Sequence, residues 1–270
     1  MSQTDNTSRI DSNDLHWAEA TERVGKYTFM IRTPQGHGSG FLITTRKTGL
    51  CGIATAWHVV QHADEWSLPI KILHHATGKE MLLKEEDRYI YRRSDRDVAL
   101  IIFSPQGLDS LPIDQLELAP QNKSLRQGLS VGWLGFPALR PSLLCFFEGK
   151  VSAWDEATDS YLIDGVAING VSGGPVFRSF GSFTNILGCV SAYIPNRSTG
   201  ESLPGLCVVQ SITPFHGFLE NIKSIEEAKD KAVQEGADQS KANQALVPTP
   251  MPVTPAAGAP VAPATGAAHL

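Results

Sequence analysis

The sequence predicts an all-β fold, an antiparallel sandwich or barrel, and three observations lead to this prediction. Short β-branched or aromatic runs recur between residues 27 and 213, and turn residues separate them. No long helical patterns alternate with these runs, as they would in a parallel sheet. The 24 glycines are typical of a turn-rich chain rather than a helical bundle. About twelve strands over about 200 residues would close into two small barrels.

A short helix is expected before the strands. Asp14 is predicted to cap it, because an aspartate side chain accepts hydrogen bonds from free first-turn amides, and Leu15–Val24 would form the helix. The predicted strands are YTFMIR (27–32), GSGFLIT (38–44), GIATAW (52–57), KILHH (71–75), VALIIF (98–103), LSVGWLG (129–135), LCFFEGKVSAW (144–154), SYLID (160–164), GPVF (174–177), NILGCVSAYI (185–194) and GLCVVQSIT (205–213).

The two ends differ in composition from the middle, which divides the chain into four segments. Residues 1–14 are polar and are predicted to be disordered. Residues 15–220 would form the folded core. Residues 221–246 are rich in Glu, Lys, Ala, Asp and Gln, and are predicted to form a charged helix. Residues 247–270 contain six of the 17 prolines and are predicted to be a disordered tail, because a Pro/Ala-rich tract cannot bury a core.

Composition excludes several classes of function. The 23 basic and 28 acidic residues give a net charge of −5, which argues against a nucleic-acid partner. No run of 18 apolar residues and no secretory signal is visible, so we expect no membrane contact and a cytoplasmic location. The four cysteines should then remain reduced thiols. The spacing of Cys51, His62, His74 and His75 matches no zinc pattern, and we expect no metal or other cofactor.

Three segments carry candidate chemistry, in the order histidine, aspartate, serine. They are Thr55–Val60 around His58, Asp97–Leu100 opening with Asp97, and Asn169–Val176 around Ser172. A serine hydroxyl is a poor nucleophile near neutral pH and needs a base within hydrogen-bond reach. Histidine suits that task, and a carboxylate fixes its tautomer. Glycines beside the serine let backbone N–H groups face a developing oxyanion. Together these segments predict an acyl-transfer site.

The chain resembles the chymotrypsin-fold serine proteases, most closely the protease domain of the HtrA (Deg) type, from about Trp17 to Leu219. That family contains two six-stranded antiparallel Greek-key barrels, and the resemblance implies them here, between a short N-terminal helix and a C-terminal helix. The segments that carry the resemblance are Gly38-Ser39-Gly40-Phe41-Leu42, Thr55-Ala56-Trp57-His58-Val59-Val60, Asp97-Val98-Ala99-Leu100, Leu125-Arg126-Gln127-Gly128, Val131-Gly132-Trp133-Leu134-Gly135-Phe136-Pro137, Gly149-Lys150-Val151-Ser152-Ala153 and Asp164 through Pro175.

The resemblance implies a role for each site residue. His58 would be the general base, Asp97 its orienting acid and Ser172 the nucleophile. Asp97 is preferred over Asp95 because it directly precedes Val-Ala-Leu. The amides of Gly170 and Ser172 would form the oxyanion hole.

Residues that contact substrate are also implied by the resemblance. Ser191, Ala192 and Tyr193 would lie on the strand that pairs with an extended substrate, and Ser191 could also hydrogen-bond Asp97. Val166, six residues before the serine, would form the base of the first specificity pocket and favour a small or medium apolar residue before the scissile bond. Asp164 could enter a remodelled pocket and would then favour basic residues.

Trp57 departs from the family pattern, which has a small residue or Asn at that position. Two outcomes are open: Trp57 packs beneath the histidine loop, or it holds His58 in an inactive rotamer. No PDZ-like domain follows Leu219 in this sequence, so we expect regulation by another route, such as an activating partner.

We therefore predict a serine endopeptidase that cuts protein or peptide substrates through an acyl-enzyme on Ser172. The alternative is a catalytically silent protease-like module that binds extended peptides. A further expectation concerns role and rests on family-level analogy: compact proteases of this type resemble effectors of bacterial defence systems that cut a pore-former or toxin encoded nearby.

Overall fold

A computed structural model describes residues 12–234 except 44–48, 109, 122, 181–182, 196–201, 222, 225–226, 229–230 and 232. The strands fall into two seven-stranded sheets. The first contains β1 (Thr28–Thr33), β2 (Gly36–Leu42), β3 (Cys51–Ala56), β4 (Ile70–His74), β5 (Glu80–Leu83), β6 (Arg88–Arg93) and β7 (Val98–Phe103). The second contains β8 (Glu117–Leu118), β9 (Ser130–Gly135), β10 (Cys145–Asp155), β11 (Ser160–Asp164), β12 (Pro175–Phe180), β13 (Phe183–Pro195) and β14 (Ser202–Ser211).

The second sheet closes on itself. Its order is β12-β9-β10-β11-β14-β13, and β12 also pairs with β13, which makes a six-stranded antiparallel barrel. The short strand β8 adds to β13 in parallel from outside the ring. The first sheet runs in the order β5-β4-β1-β2-β3-β7-β6, with antiparallel pairs throughout. The predicted double-barrel fold is confirmed: the second sheet is a closed six-stranded barrel and the first is a barrel-like sheet of seven strands.

The buried apolar residues form two hydrophobic cores, one within the first sheet and a second to which both sheets contribute. The first core includes Phe29, Ile53, Ile72 and Ile101, all fully buried. The second core is larger and contains Trp133, whose ring stacks on that of Phe147, together with apolar residues of β2, β3 and β7 from the first sheet. Strands such as β3 and β7 are buried along almost their whole length, which is why the sequence shows continuous apolar runs.

Strands β5, β6 and β8 were not predicted. The first two, EMLL and RYIYRR, are largely half-buried or exposed, β6 contains three arginines, and the two strands lie at opposite ends of the first sheet. Charged side chains are common on edge strands, where they discourage pairing with another chain. Such strands lack the continuous apolar run that reveals a buried strand.

Three α-helices accompany the sheets in the described part of the chain. α1 spans Ser12–Gly25, so the predicted N-terminal helix is confirmed but Asp14 lies inside it rather than at its cap. Trp17, Ala20 and Val24 lie one to two turns apart and bury one face of α1 against the second core. α2 spans Trp57–Glu65 and was not predicted, because its nine residues follow β3 without a turn.

The C-terminal helix, α3, begins earlier than predicted. Residues 213–221 are helical, whereas the sequence placed 213 in a strand and the helix start at 221. Phe215 is fully buried in the second core and secures this first turn. The second compact unit of the chain begins at Glu227, and its described residues 227, 228, 231, 233 and 234 are helical. Residues 235–246 and the predicted tail 247–270 lie outside the described residues.

Burial shifts the pKa of two cysteine thiols and of one histidine. Burial raises the pKa of the Cys189 thiol well above its ordinary value and that of Cys207 to about 12. All four cysteines are in the described part of the chain, and none forms a disulfide. Burial also lowers the pKa of His74 below its ordinary 6.5. No helix in the described residues is long and apolar enough to cross a membrane.

Candidate active site

The structure brings His58 and Asp97 together through two hydrogen bonds. The His58 ring Nδ1 lies 2.9 Å from Asp97 Oδ2, and the His58 backbone N–H donates to Asp97 Oδ1 over 2.9 Å. A carboxylate only accepts, so Nδ1 must carry a proton and Nε2 is left with a free lone pair. The side chains are 46% and 25% exposed respectively, so water and substrate can reach the histidine.

Two neighbouring strands account for this contact. Ala56 at the end of β3 pairs with Val98 at the start of β7, which places the next residues of both segments side by side. Asp97 adopts a left-handed conformation (φ 46°, ψ 42°), and its carbonyl accepts from Trp57 N over 3.0 Å. His58 lies in the first turn of α2, whose amides lack intrahelical partners, so the Asp97 carboxylate also completes the start of that helix.

Ser191 provides a third hydrogen bond to the carboxylate. Its hydroxyl donates to Asp97 Oδ2, which links the second barrel to the first. Ser191 lies at a bulge in β13, between the pairs Val190–Val209 and Ala192–Val208. A bulge redirects a side chain out of the regular alternation of a strand. The possible Ser191–Asp97 contact is therefore present in the structure.

Ser172 lies in the same cleft as His58. A cavity of about 370 Å³ is lined by both residues together with His37, Val59 and Gly170, among others. The Ser172 hydroxyl donates to Ser191 O over 3.4 Å, which turns it toward β13 rather than toward the His58 ring. Engaging the histidine would require rotation of the serine side chain about its Cα–Cβ bond.

The backbone around Ser172 has two unengaged amides. The N–H groups of Val171, Gly173 and Gly174 donate to Ile168 O, Val190 O and Val171 O. Within the described part of the chain, the N–H groups of Gly170 and Ser172 make no hydrogen bond. These are the two amides that the family resemblance assigns to the oxyanion hole.

Gly170 itself could not be replaced by a larger residue. It has a φ of +90°, and a Cβ there would lie 2.3 Å from Phe136 O and 2.6 Å from His37 Nε2. The close approach of these two groups explains why the loop carries glycine at this position.

Asp95 and Trp57, the two other residues considered near His58, have different surroundings. Asp95 is paired with Arg93 on the surface, 2.9 Å apart, and makes no contact with His58 among the described groups. Trp57 is 94% buried in the first core, with the Arg92 guanidinium 4.8 Å from its ring centroid. Of the two outcomes open for Trp57, packing beneath the histidine loop is the one observed, and His58 faces Asp97.

The predicted specificity residues are only partly brought together. Val166 is half-exposed and Ala192 is exposed, while Ser191 is buried. Asp164 is exposed at the end of β11. The backbone of Tyr193 lies in β13, opposite Cys207, but its side chain falls outside the described residues.

Comparison with known families now decides the identity of the domain. A family model described as a trypsin-like peptidase domain matches residues 38–184, more than half of the chain. The chain belongs to the trypsin-like peptidase family. No curated protein shows significant sequence similarity to it.

Solved structures show the same fold at low sequence identity. Deg5 matches this peptidase domain with a TM-score of 0.57 and 19% identity, over 75% of this chain and 91% of Deg5. Rv3671c from M. tuberculosis H37Rv, a serine-to-alanine mutant in its inactive form, matches with a TM-score of 0.54 and 18% identity, over 78% and 93% of the two chains. The resemblance to the HtrA (Deg) type is thus confirmed at the level of fold.

Sequence reasoning missed several residues around the peptidase site. Ala138 N donates to Asn169 O over 2.7 Å, and His37 Nε2 donates to Phe136 O over 3.0 Å. These contacts join segments 31 and 99 residues apart, so no local pattern reveals them. Ser39 was recognised only as part of a Gly-Ser-Gly motif.

Proposed function

We propose that this domain is a serine endopeptidase in which Ser172 attacks the substrate, His58 acts as base and Asp97 orients His58. The observation that carries the proposal is the Asp97–His58 pair, which opens into the same cleft as Ser172 and its two unengaged amides. Each group has the chemical character that acyl transfer requires.

The proposed reaction begins with attack of Ser172 Oγ on the scissile carbonyl carbon. The hydroxyl proton passes to His58 Nε2, and the carbonyl electron pair moves to oxygen, where the amides of Gly170 and Ser172 stabilise the oxyanion. Collapse breaks the C–N bond, and His58 gives its proton to the leaving amine. Water then attacks the acyl-enzyme, its proton returns through His58, and Ser172 is regenerated with release of the acid.

Substrate binding is proposed to use β13 and the loop before Ser172. An extended peptide would add to the edge formed by Ser191, Ala192 and Tyr193 through main-chain hydrogen bonds. Val166, with Ala167 and Ile168, supplies no charge, which supports a small or medium apolar residue before the scissile bond. N-terminal mapping of cleavage sites in a proteome digest tests this preference, and strong selection for Arg or Lys would contradict it.

A fluorophosphonate probe tests the chemistry directly. We expect the wild-type protein to be labelled and Ser172→Ala to be unlabelled, because the probe phosphonylates an activated serine. Thermal unfolding of both proteins establishes that the variant is folded. Failure of the folded wild type to label both in purified form and in an extract of the source cells, or equal labelling of the variant, would overturn the proposed mechanism.

The alternative of a silent peptide-binding module also has a supporting observation. The Ser172 hydroxyl is engaged with Ser191 O rather than with His58. If this conformation persists with substrate bound, peptides would bind along β13 without being cut. Binding of an extended peptide with neither labelling nor cleavage would favour this alternative.

The same serine conformation supports activation by a partner protein. We place the protein in the cytoplasm as an effector protease of a bacterial defence system, acting on a pore-former or toxin encoded nearby, on family-level analogy. Labelling of Ser172 should then be faster in the source cells than in the purified protein. Equal rates in both settings would contradict activation by a partner.

A further inference from the structure

Ser39 is a fully buried hydroxyl at the junction of the two barrels, and the mechanism above does not use it. Its side chain donates to Gly170 O over 2.8 Å and accepts from Phe136 N over 2.9 Å. Its backbone N–H donates to Ser172 O over 2.8 Å, and its carbonyl accepts from Thr55 Oγ1 over 2.7 Å. One residue of β2 thus contacts both sides of the loop that carries the nucleophile.

The direction of the Gly170 N–H depends on two carbonyl groups. In a trans peptide the N–H points opposite to the C=O, so the bond from Ala138 N to Asn169 O sets the plane that contains the Gly170 N–H. The following peptide plane, between Gly170 and Val171, is held by the bond from Ser39 Oγ to Gly170 O. Since glycine has no Cβ to restrict its torsions, the conformation of Gly170 is held by these two bonds together with the bond from Val171 N to Ile168 O.

The Ser39 hydroxyl contributes to the positions of both carbonyl groups, Asn169 O and Gly170 O. It holds Gly170 O directly, and it accepts from Phe136 N, two residues before the Ala138 amide that holds Asn169 O. A hydroxyl has one proton, and here that proton goes to Gly170 while a lone pair receives Phe136 N–H. Removing the hydroxyl would leave a buried carbonyl and a buried amide without partners.

We propose that Ser39 is a positioning residue for the oxyanion hole, because its hydroxyl fixes the backbone that aims the Gly170 N–H into the cleft. This inference rests on the proposed serine endopeptidase function. A donor held in place before the reaction stabilises developing charge without having to reorganise. Ser39 touches no reacting atom, so its effect should appear in the chemical step and not in substrate binding.

The test compares Ser39→Ala with Thr28→Val by phosphonylation kinetics with a peptidyl fluorophosphonate. Thr28 is equally buried and donates one side-chain bond to Val24 O over 3.0 Å, far along the chain from Ser172. We expect Ser39→Ala to lower the maximal phosphonylation rate about 10- to 100-fold, somewhat less than outright loss of an oxyanion donor. The probe concentration at half-maximal rate and the apparent pKa of the rate should stay as in wild type. Thr28→Val should retain the wild-type rate.

The outcomes separate this inference from the proposed function. Absence of Ser172-dependent labelling in the wild type would defeat the proposed function itself. Normal labelling of the wild type with an unchanged rate in Ser39→Ala, or a change only in the half-maximal concentration, would overturn the role of Ser39. Should Ser39→Ala not fold, Ser39→Cys, which keeps a weak donor and acceptor, is expected to show the same direction with a smaller loss, and an unchanged rate would count against the proposal.

Discussion

Replacing Asp97 with asparagine should place the proton on the wrong nitrogen of His58. The His58 backbone N–H always donates, so the amide oxygen of the new side chain must face it, as Asp97 Oδ1 does now. The amide NH₂ then faces His58 Nδ1, which has to accept. The imidazole proton moves to Nε2, which can no longer take the proton of Ser172.

The expected loss in kcat/KM is about 10⁴-fold, the size found for the same change in a Ser-His-Asp protease. This corresponds to about 5 kcal/mol of transition-state stabilisation. The fold should survive, because asparagine tolerates the left-handed backbone that Asp97 adopts at φ 46°. Hydrolysis of a fluorogenic peptide, with thermal unfolding measured in parallel, gives both quantities.

Asp95→Asn is the matched control. It makes the same chemical change two residues away, on an exposed carboxylate that is paired with exposed Arg93 and half-buried Arg96. Its activity should stay within about twofold of wild type, since surface ion pairs contribute little. If Asp97→Asn keeps activity within tenfold of wild type, or if Asp95→Asn causes the larger loss, the assignment of Asp97 as the orienting residue is wrong.

Three further predictions concern stability, loop geometry and thiol reactivity. Burial lowers the pKa of His74 in the folded protein below 6.5, so below that pH the unfolded chain binds more protons than the folded one. The free energy of unfolding should therefore fall as the pH drops from 6.5. Denaturant titrations should show a flatter pH dependence for His74→Gln. Gly170→Ala should abolish Ser172 labelling, because its Cβ would lie 2.3 Å from Phe136 O; normal labelling would contradict the loop geometry. Iodoacetamide should alkylate half-buried Cys145 well before Cys189, because Cys189 is buried and its thiol pKa is raised. Peptide mapping measures both rates, and equal rates would contradict the burial of Cys189.

The fold was accessible from sequence because most strands are short apolar or aromatic runs between turn residues, and strands such as β7 and β9 are buried almost throughout. The edge strand β5 was missed because it has only four residues, and β6 was missed because arginines flank its short aromatic and apolar run. Helix α2 was missed because Trp57 both ends an apolar run and begins the helix, and its burial in the first core is a tertiary effect.

The site was only partly accessible from sequence. His58, Asp97 and Ser172 lie in short motifs whose chemistry is local, so their residue types alone suggested a common task. The Ser172 rotamer depends on the bulge at Ser191, and the role of Ser39 depends on a bond to Gly170 that spans 131 residues. Long-range hydrogen bonds of this kind leave no periodic signal in a single sequence.

Detection of an acyl-enzyme tests the central claim most directly. The folded protein is mixed with a peptide ester that ends in a small apolar residue, quenched in acid within the first turnover, digested and analysed by mass spectrometry. The proposed mechanism predicts that the peptide containing Ser172 gains the mass of the acyl group in wild type and not in Ser172→Ala. A wild-type protein that forms no adduct at any time, or an adduct that persists in Ser172→Ala, would contradict it.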